Sequence, residues 1–587
     1  MKMNKLILVF SMQVLSILPM VFFLLVYTEG FAYIGMALIL LGLLVVNIYN
    51  IIKKMSIFHY PVWPILIGSF FLYAFYGLGT TQVPQTFKTL KESQSVTTFD
   101  FSKEVQIDKV CYYVGIDKNV NFTLESMNKG KWEKFYTYEK SYPFSFRWKC
   151  LKYNLHTEKV ILRVTKNQMM LNEIRFLRKD KIIPYTTKMN SFDDEPTMKI
   201  DTSYYSSMFF DEIYFGRTAY EITHNINVYE NTHPYLGKLL IIPGIQVFGM
   251  TPFGWRFMNA LFAGLLIFMA YYFALHLFRK HIYAFSAAFL TTYSFMHLAQ
   301  ARIGLIDTFG VLFVFISYFY LYRFIVKQQL SRLLISGVFF GLAAAVKWSA
   351  VFSAVGFVFI ALYLLASRYP LSERFSGYRL LLYGLLSYAV LAFLVYAVSF
   401  FDIYTQTGSI QSIIDYNTNM YNYHSTLQAT HPYSSSWWAW PLDLKPMGYY
   451  KDVKDGLLQS INTFGNPAIF WMGMVAIGYL LYVSIRRHTL EAVFILLAFL
   501  GLYLPYIFVG RLMFIYHFYY AVPFLILSIV YMMKDTSEKF AWFGKVHLVY
   551  LFVVAGLFLL FYPVLSGYAI DKPYVDEWLR WFSTWWF

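Results

Sequence analysis

Charge is scarce in this chain, and negative charge is scarcer still. Only 14% of the 587 residues are charged, with 33 Asp and Glu against 49 Lys and Arg. A soluble globular domain carries roughly 25% charge. With 58% hydrophobic residues and a mean hydropathy of +0.47, a wholly soluble chain is excluded; lipid must form part of its solvent. Cysteine is almost absent. Cys111 and Cys150 are the only two, which excludes a disulfide-dense scaffold and a cysteine-built metal centre. No HxxxH or HExxH spacing occurs, so no metal site is expected. No GxSxG turn lies near the charged clusters, and no internal repeat or low-complexity tract stands out. The tetrapeptide THPY occurs twice, at 232–235 and 430–433.

Long apolar runs are what the chain has. Runs of about 20 apolar residues read as transmembrane helices, and about thirteen are present. Their cores lie near 6–27, 31–52, 62–80, 256–278, 282–299, 303–325, 332–346, 349–366, 379–400, 466–484, 489–509, 513–533 and 546–565. A shorter run, 236–250, holds Pro243 and reads as an interfacial helix. With the N-terminus inside, every inner loop is basic: Lys2 and Lys5; Lys53 and Lys54; Arg279 and Lys280; Arg323, Lys327 and Arg332; Arg368, Arg374 and Arg379; Arg486 and Arg487; Lys534, Lys539 and Lys545. That bias accounts for most of the +16 net charge without nucleic acid. The first span lacks a small-residue cleavage site and is expected to be retained.

This orientation places 81–255, 401–465 and 566–587 outside. The expected organisation is 1–80, N-terminal spans; 81–205, a β-domain; 206–255, an outer loop with interfacial helices; 256–400, a transmembrane core; 401–465, a second outer loop; and 466–587, C-terminal spans and tail. Within 81–205, seven short runs rich in aromatic and β-branched residues alternate with turn residues, from TTFDFSKEV to NEIRFL. They read as an inserted all-β sandwich. It would serve as an acceptor-binding module or as a structural cap. Both cysteines fall here, and sequence leaves open whether they are bonded or are two buried thiols.

Chemistry concentrates in Met208–Asn259. Asp211 and Glu212 are adjacent, and on a helix adjacent side chains point about 100° apart. One can face a reaction centre while the other pairs with a cation. Both lie between MFF and IYF, on an apolar surface where a charge is a functional candidate. The cations Arg256, Arg302 and Lys347 stand at outer ends of spans, against the positive-inside bias; Lys238 lies in the outer loop. Arg302 precedes Asp307 in ARIGLIDTFG, which reads as a structural ion pair or as part of a phosphate cradle. The loop 401–465 holds His424, His431, Tyr433, Trp437, Trp438 and Trp440. These read as interfacial anchors or as a surface that stacks on a sugar.

Taken in order, FDEIYFG, HPYLGKLLI, GWRFMNAL, AQARIGLIDT, GLAAAVKWSAVF, THPYSSSWWAWPL, GNPAIFWMG and YHFYYAVPF resemble the protein O-mannosyltransferases, from about Met208 to Lys534. The resemblance implies a polytopic α-helical membrane protein of the GT-C type with the inserted β-domain. It implies an inverting transfer of mannose from a polyprenyl phosphate to a Ser or Thr hydroxyl of a protein, with no cofactor beyond the lipid-linked donor. Asp211 matches the family's key acid and Glu212 its neighbour; Arg256 matches the arginine that opens the next span. His233 and Lys238 match an HPPLGK-type motif, with Tyr235 in place of its second proline. Lys347-Trp348 and the WWAWP of 437–441 match further motifs. Eukaryotic members carry a lumenal β-trefoil between later spans, for which 401–465 is too short. The β-domain instead precedes the acidic motif, after three spans where the family has one. This points to a bacterial or divergent member in the plasma membrane.

The roles expected are Asp211 and Glu212 as catalytic residues, with Asp211 the general base. Arg256, Arg302 and Lys347 are expected on the donor phosphate, and His233, Lys238, His431, Trp437, Trp438 and Trp440 in positioning. Some family members pair, so a dimer is an open expectation. A rival reading keeps the donor but takes a lipid, glycan or cell-wall polymer as acceptor. A transporter would need charged, broken helices at the bilayer midplane in two related halves, and none is visible. A receptor reading leaves Asp211 and Arg256 unexplained.

Overall fold

The computed structural model describes residues 16–17, 19–21, 23–24, 63–92, 96–139, 145–188, 199–367 and 369–587. The expected span 31–52, most of 6–27, and Lys2, Lys5, Lys53, Lys54 and Arg368 lie outside the described residues. The chain forms two compact units. One comprises Gly77–Glu230 and Ile241–Met258; the other comprises the chain up to Tyr76, Asn231–Leu240 and Asn259–Phe587.

The first unit is built on strands β1 (Lys88–Lys91), β2 (Val96–Asn128), β3 (Lys131–Tyr138), β4 (Arg147–Arg178) and β5 (Lys181–Ile183). The seven expected runs merge into three of these, because the turn residues between them bend a strand instead of ending it. Ser102, Asn119 and Asn167 adopt positive φ of 62°, 55° and 60°. The ladder skips register beside them, between Asp100 and Val105 and between Lys118 and Asn121. Such bulges let one strand turn a corner. The two long strands therefore pair with each other twice, Val96–Val114 with Arg147–Arg163 and Lys109–Ser126 with Val160–Leu177. The curled sheet wraps one core that includes Phe99, Val110, Phe122, Leu162, Leu171 and Phe176. Cys111 and Cys150 face each other across the ladder and are bonded, which settles the open alternative. The domain leaves and rejoins the chain at one place, where Thr80 N–H donates to the Tyr205 carbonyl at 2.8 Å.

In the second unit, six described helices are long and apolar enough to cross a membrane; with Pro252–Phe278, which starts in the first unit, the described residues hold seven. Besides that helix they are Asp307–Lys327, Trp348–Ala366, Tyr378–Val398, Pro467–Arg487, Leu490–Phe508 and Phe543–Ser566. Among the described residues, the other expected spans are shorter or broken. Run 282–299 divides at Ser294, whose ψ of 125° is extended, into His281–Thr292 and Phe295–Ala301. Run 513–533 becomes a 3₁₀ turn, Ile515–Tyr520, followed by a helix from Val522 with Pro523 in its first turn, the position where a missing N–H costs nothing. The second outer loop holds an unexpected hairpin, β6 (Met447–Lys454) and β7 (Leu457–Thr463), to which β8 (Ile570–Asp571) adds. Asp455-Gly456 makes its turn with φ of 53° and 81°; an Asp-Gly pair suits such a turn. Two basic loops are each tied to the end of the helix Val522–Lys539, Lys280 to Glu538 at 2.8 Å and Arg487 to Asp535 at 2.9 Å.

Candidate active site

The acidic pair lies in the first unit and divides its labour. Asp211 ends a turn and opens the helix Glu212–Thr223. It is half-buried, whereas Glu212 is fully buried. The residue before it, Phe210, holds φ at 49°, a left-handed conformation that is strained for a bulky side chain. Glu212 locks this turn. Its carboxylate accepts from Phe209 N–H at 3.3 Å and from both edges of the Arg256 guanidinium, Nε at 2.6 Å and Nη2 at 2.8 Å. Arg256 also donates to the carbonyls of Leu78 at 2.7 Å and Ser207 at 3.0 Å, and lies over the Phe209 ring at 4.9 Å. Neither partner is exposed to solvent. A fork so fully engaged with protein acceptors holds the loop. The expectation that Arg256 grips phosphate is replaced by that role.

Arg302, in the second unit, departs from expectation in the same way. Its Nη1 donates to the carbonyls of Tyr73, Ala74 and Tyr76, at 2.9, 2.8 and 2.6 Å, and its Nη2 to that of Ser566 at 2.8 Å. These carbonyls terminate the helices Trp63–Phe75 and Phe543–Ser566. Helix C-termini carry orphan carbonyls and partial negative charge, and Arg302 caps two at once. Asp307 pairs with Lys347 instead, at 2.8 and 3.1 Å.

Lys347 stands where the helix Leu330–Val346 stops. Its extended backbone, φ −157° and ψ 134°, lifts it out of the helix before the 3₁₀ turn Trp348–Phe352. Its ammonium lies 5.3 Å from the Tyr516 ring centroid, and Asp307 offers its carboxylate from the first turn of the preceding helix, Asp307–Lys327. Lys238 is buried and donates to the His233 carbonyl at 2.9 Å and the Tyr416 hydroxyl at 2.6 Å. It fastens the 232–240 segment to the helix Ile410–Thr426. Gly237 lets this segment pack, since a Cβ there would lie 2.8 Å from Ile306. The His233 ring meets His424 edge-on at 5.5 Å. His424 in turn contacts Arg511 at 2.8 Å and the Thr232 carbonyl at 2.7 Å.

The tryptophans separate. Trp440 is buried, with Nε1 on Ser435 and its ring stacked on His517 at 6.0 Å. Trp437 packs on Tyr503 at 5.6 Å. Trp438 is 54% exposed and is the one with a face to offer. His431 is half-buried, accepts from Tyr433 N–H at 3.2 Å and rests on Phe514 at 5.2 Å; burial pushes its pKa down, with Lys445 adding to the effect. The second unit thus brings His233, Lys238 and Lys347 into one network with Asp307, Tyr416, His424, Arg511, Tyr516 and His517. Arg511 and His517 escaped the sequence reading. Arg511 could have been found, because it too is an arginine at an outer span end, against the positive-inside bias.

Residues 232–397 match the family model described as dolichyl-phosphate-mannose-protein mannosyltransferase, and residues 409–585 match that of the C-terminal four-span region of protein O-mannosyltransferase. The chain belongs to the protein O-mannosyltransferase family. A polyprenol-phosphate-mannose–protein mannosyltransferase of Corynebacterium glutamicum is 27% identical over 422 residues, which cover 60% of this chain and 81% of that protein. One of the same name from Mycolicibacterium smegmatis is 24% identical over 437 residues, 62% and 85% of the two chains. Among solved structures, the S. cerevisiae protein O-mannosyltransferase Pmt1-Pmt2 complex bound to the sugar donor superposes with a TM-score of 0.58 at 12% identity, covering 65% of this chain and 89% of that one. This likeness establishes the GT-C type of fold for this family member. The β-domain, residues 88–183, precedes both matched regions.

Proposed function

We propose that this chain is an inverting glycosyltransferase that moves mannose from a polyprenyl-phosphate carrier to Ser or Thr hydroxyls of proteins, on the extracytoplasmic face of a bacterial plasma membrane. The observation that carries the reading is the division of the acidic pair: Glu212 is locked to Arg256, while the half-buried Asp211 sits on a strained turn at a helix start. Strain of this kind persists where the surroundings over-determine a functional geometry.

The reaction makes two demands. The acceptor hydroxyl must lose a proton as its oxygen bonds to the anomeric carbon. Asp211 is the residue fit to take that proton. The bond from that carbon to the phosphate oxygen breaks, and polyprenyl phosphate departs with one more negative charge. Lys347 is the residue fit to stabilise that charge, working where dielectric screening is weak. The leaving group is competent as it stands, so the step calls on no acid, metal or cofactor. Single displacement inverts the anomeric centre. Glu212, Arg256, Arg302 and Lys238 position backbone segments, and the exposure of Trp438 supports a role in stacking on sugar or acceptor. The salt-bridged basic loops around Lys280 and Arg487 support the assignment of those ends to the cytoplasm, with the N-terminus on the same side.

The test is a transfer assay in membranes with radiolabelled polyprenyl-phosphate mannose, comparing wild type with Asp211→Asn. Label in the protein fraction that vanishes in the variant is the expected result. Asp211-dependent label in lipid or polysaccharide would replace the acceptor, and transfer that survives in Asp211→Asn would remove the base.

A further inference from the structure

The loop that follows the helix Leu490–Phe508 carries a cation without a counter-ion. Arg511 is half-buried, and its side-chain hydrogen bond runs from Nη1 to His424 Nδ1 at 2.8 Å. Among the described residues no carboxylate lies within ion-pair distance of it. Lys347 differs, since both oxygens of Asp307 face its ammonium. The Lys347–Asp307 pair is neutral as a unit, whereas Arg511 brings an uncompensated positive charge.

His424 has its protonation state set from two sides. Its Nε2 lies 2.7 Å from the Thr232 carbonyl, which can only accept, so Nε2 carries the hydrogen. Its Nδ1 faces an arginine N–H, which can only donate, so Nδ1 is a bare lone pair. The ring is neutral, and burial followed by the charges of His233, Arg511 and Lys347 pushes its pKa down to about 4. Trp348, next to Lys347 in the chain, approaches the same ring at 6.2 Å. His424 is therefore a fixed acceptor that pins one corner of the Arg511 fork and leaves the other N–H groups for an anion.

The chain just before Arg511 is apolar and exposed. Ile507 and Phe508, 44% and 88% exposed, end the preceding span. Gly510 follows, and nothing would lie within 4 Å of a Cβ there. A cation beside exposed hydrocarbon-seeking side chains suits an anion joined to a hydrocarbon chain. Arginine's planar fork suits two oxygens of one phosphate.

We propose that Arg511 binds the phosphate of the polyprenyl-phosphate donor and that neutral His424 is the positioning residue that holds its guanidinium. The proposal rests on the donor class assigned above and names the group that recognises its phosphate.

The experiment uses the full chain in nanodiscs. Binding of a short polyprenyl phosphate, and separately of inorganic phosphate, is measured for wild type, Arg511→Gln, Arg511→Lys, His424→Ala and His424→Gln. Arg511→Gln is expected to weaken the lipid phosphate roughly ten- to a hundredfold, the range for a charge-assisted hydrogen bond, while Arg511→Lys keeps charge without the fork and falls between. His424→Ala is expected to raise the donor KM with the acceptor KM unchanged, and His424→Gln to restore part of the loss, because an amide can still accept from Arg511. Unchanged lipid-phosphate binding in Arg511→Gln, or in Arg511→Lys should the glutamine variant not fold, overturns the proposal. Equal, Arg511-dependent binding of inorganic phosphate overturns the lipid as ligand. Arg511-dependent lipid-phosphate binding in a protein that transfers no mannose would sustain this inference and overturn the proposed function, so the two can fail separately.

Discussion

Replacing Glu212 by glutamine preserves the shape of the side chain and removes its charge. Its neighbour Asp211 provides the contrast. Glu212 and Arg256 are both wholly buried and joined by bonds of 2.6 and 2.8 Å. Removing one charge leaves the other buried and unpaired, which costs about 3–5 kcal/mol. For a domain of this size each kcal/mol moves Tm by about 2–4 °C, so Glu212→Gln should lower the melting of the first unit by roughly 6–20 °C. Asp211→Asn removes a half-buried charge outside the Glu212–Arg256 pair and should lower melting less than Glu212→Gln does. Its transfer rate should fall by about 10²–10⁴, the usual contribution of a general base. Both variants would be purified in nanodiscs, melted, and assayed for mannose transfer per folded molecule. The reasoning is refuted if Glu212→Gln abolishes transfer while melting like wild type. Glu212 would then act on the substrate, and the ion pair would not be what holds the loop.

Arg302→Met should destabilise the second unit by about 3 kcal/mol or more, because four carbonyls lose a charged donor, with transfer per folded molecule retained; melting and single-turnover assays check both. Replacing both Cys111 and Cys150 by alanine should cost about 4 kcal/mol, from the entropy of a 39-residue closure, and added reductant should reproduce the loss in wild type. His424 should make the fold pH-sensitive. Its pKa is about 4 when folded against an ordinary 6.5. The unfolded chain binds the extra proton between those values, so stability falls as pH drops from about 6.5 towards 4. His424→Gln should flatten that slope in a pH series of melts.

Seven of the expected apolar spans were legible because a bilayer imposes a length of about 20 residues that no other context requires. The division between Asp211 and Glu212 was legible in outline, since adjacent helical side chains diverge, and Glu212 does take the cation. Which cation serves what was not legible. Arg302 is five residues from Asp307, yet Asp307 pairs with Lys347, forty residues on. Arg302 reaches carbonyls more than 200 residues away, at Tyr73 and Ser566. Such choices are made by packing between helices and leave no local periodicity. In the β-domain the opposite error arose from local signals. Asn119 and Asn167 carry genuine turn conformations, but a bulge uses the same residues as a loop, and only the ladder on either side tells them apart.

The hydrogen bond from Thr80 to Tyr205 has a consequence for how this architecture came about. The chain sets out from Thr80 through the strands of residues 88–183 and returns at Tyr205 to touch the residue it left. Entry and exit points that already lie together are what a gene needs in order to accept a foreign module without disturbing the host. Read this way, the sheet is a cassette. The same doorway would admit a different extracytoplasmic module, or close over a few glycines, and sister enzymes would differ here first.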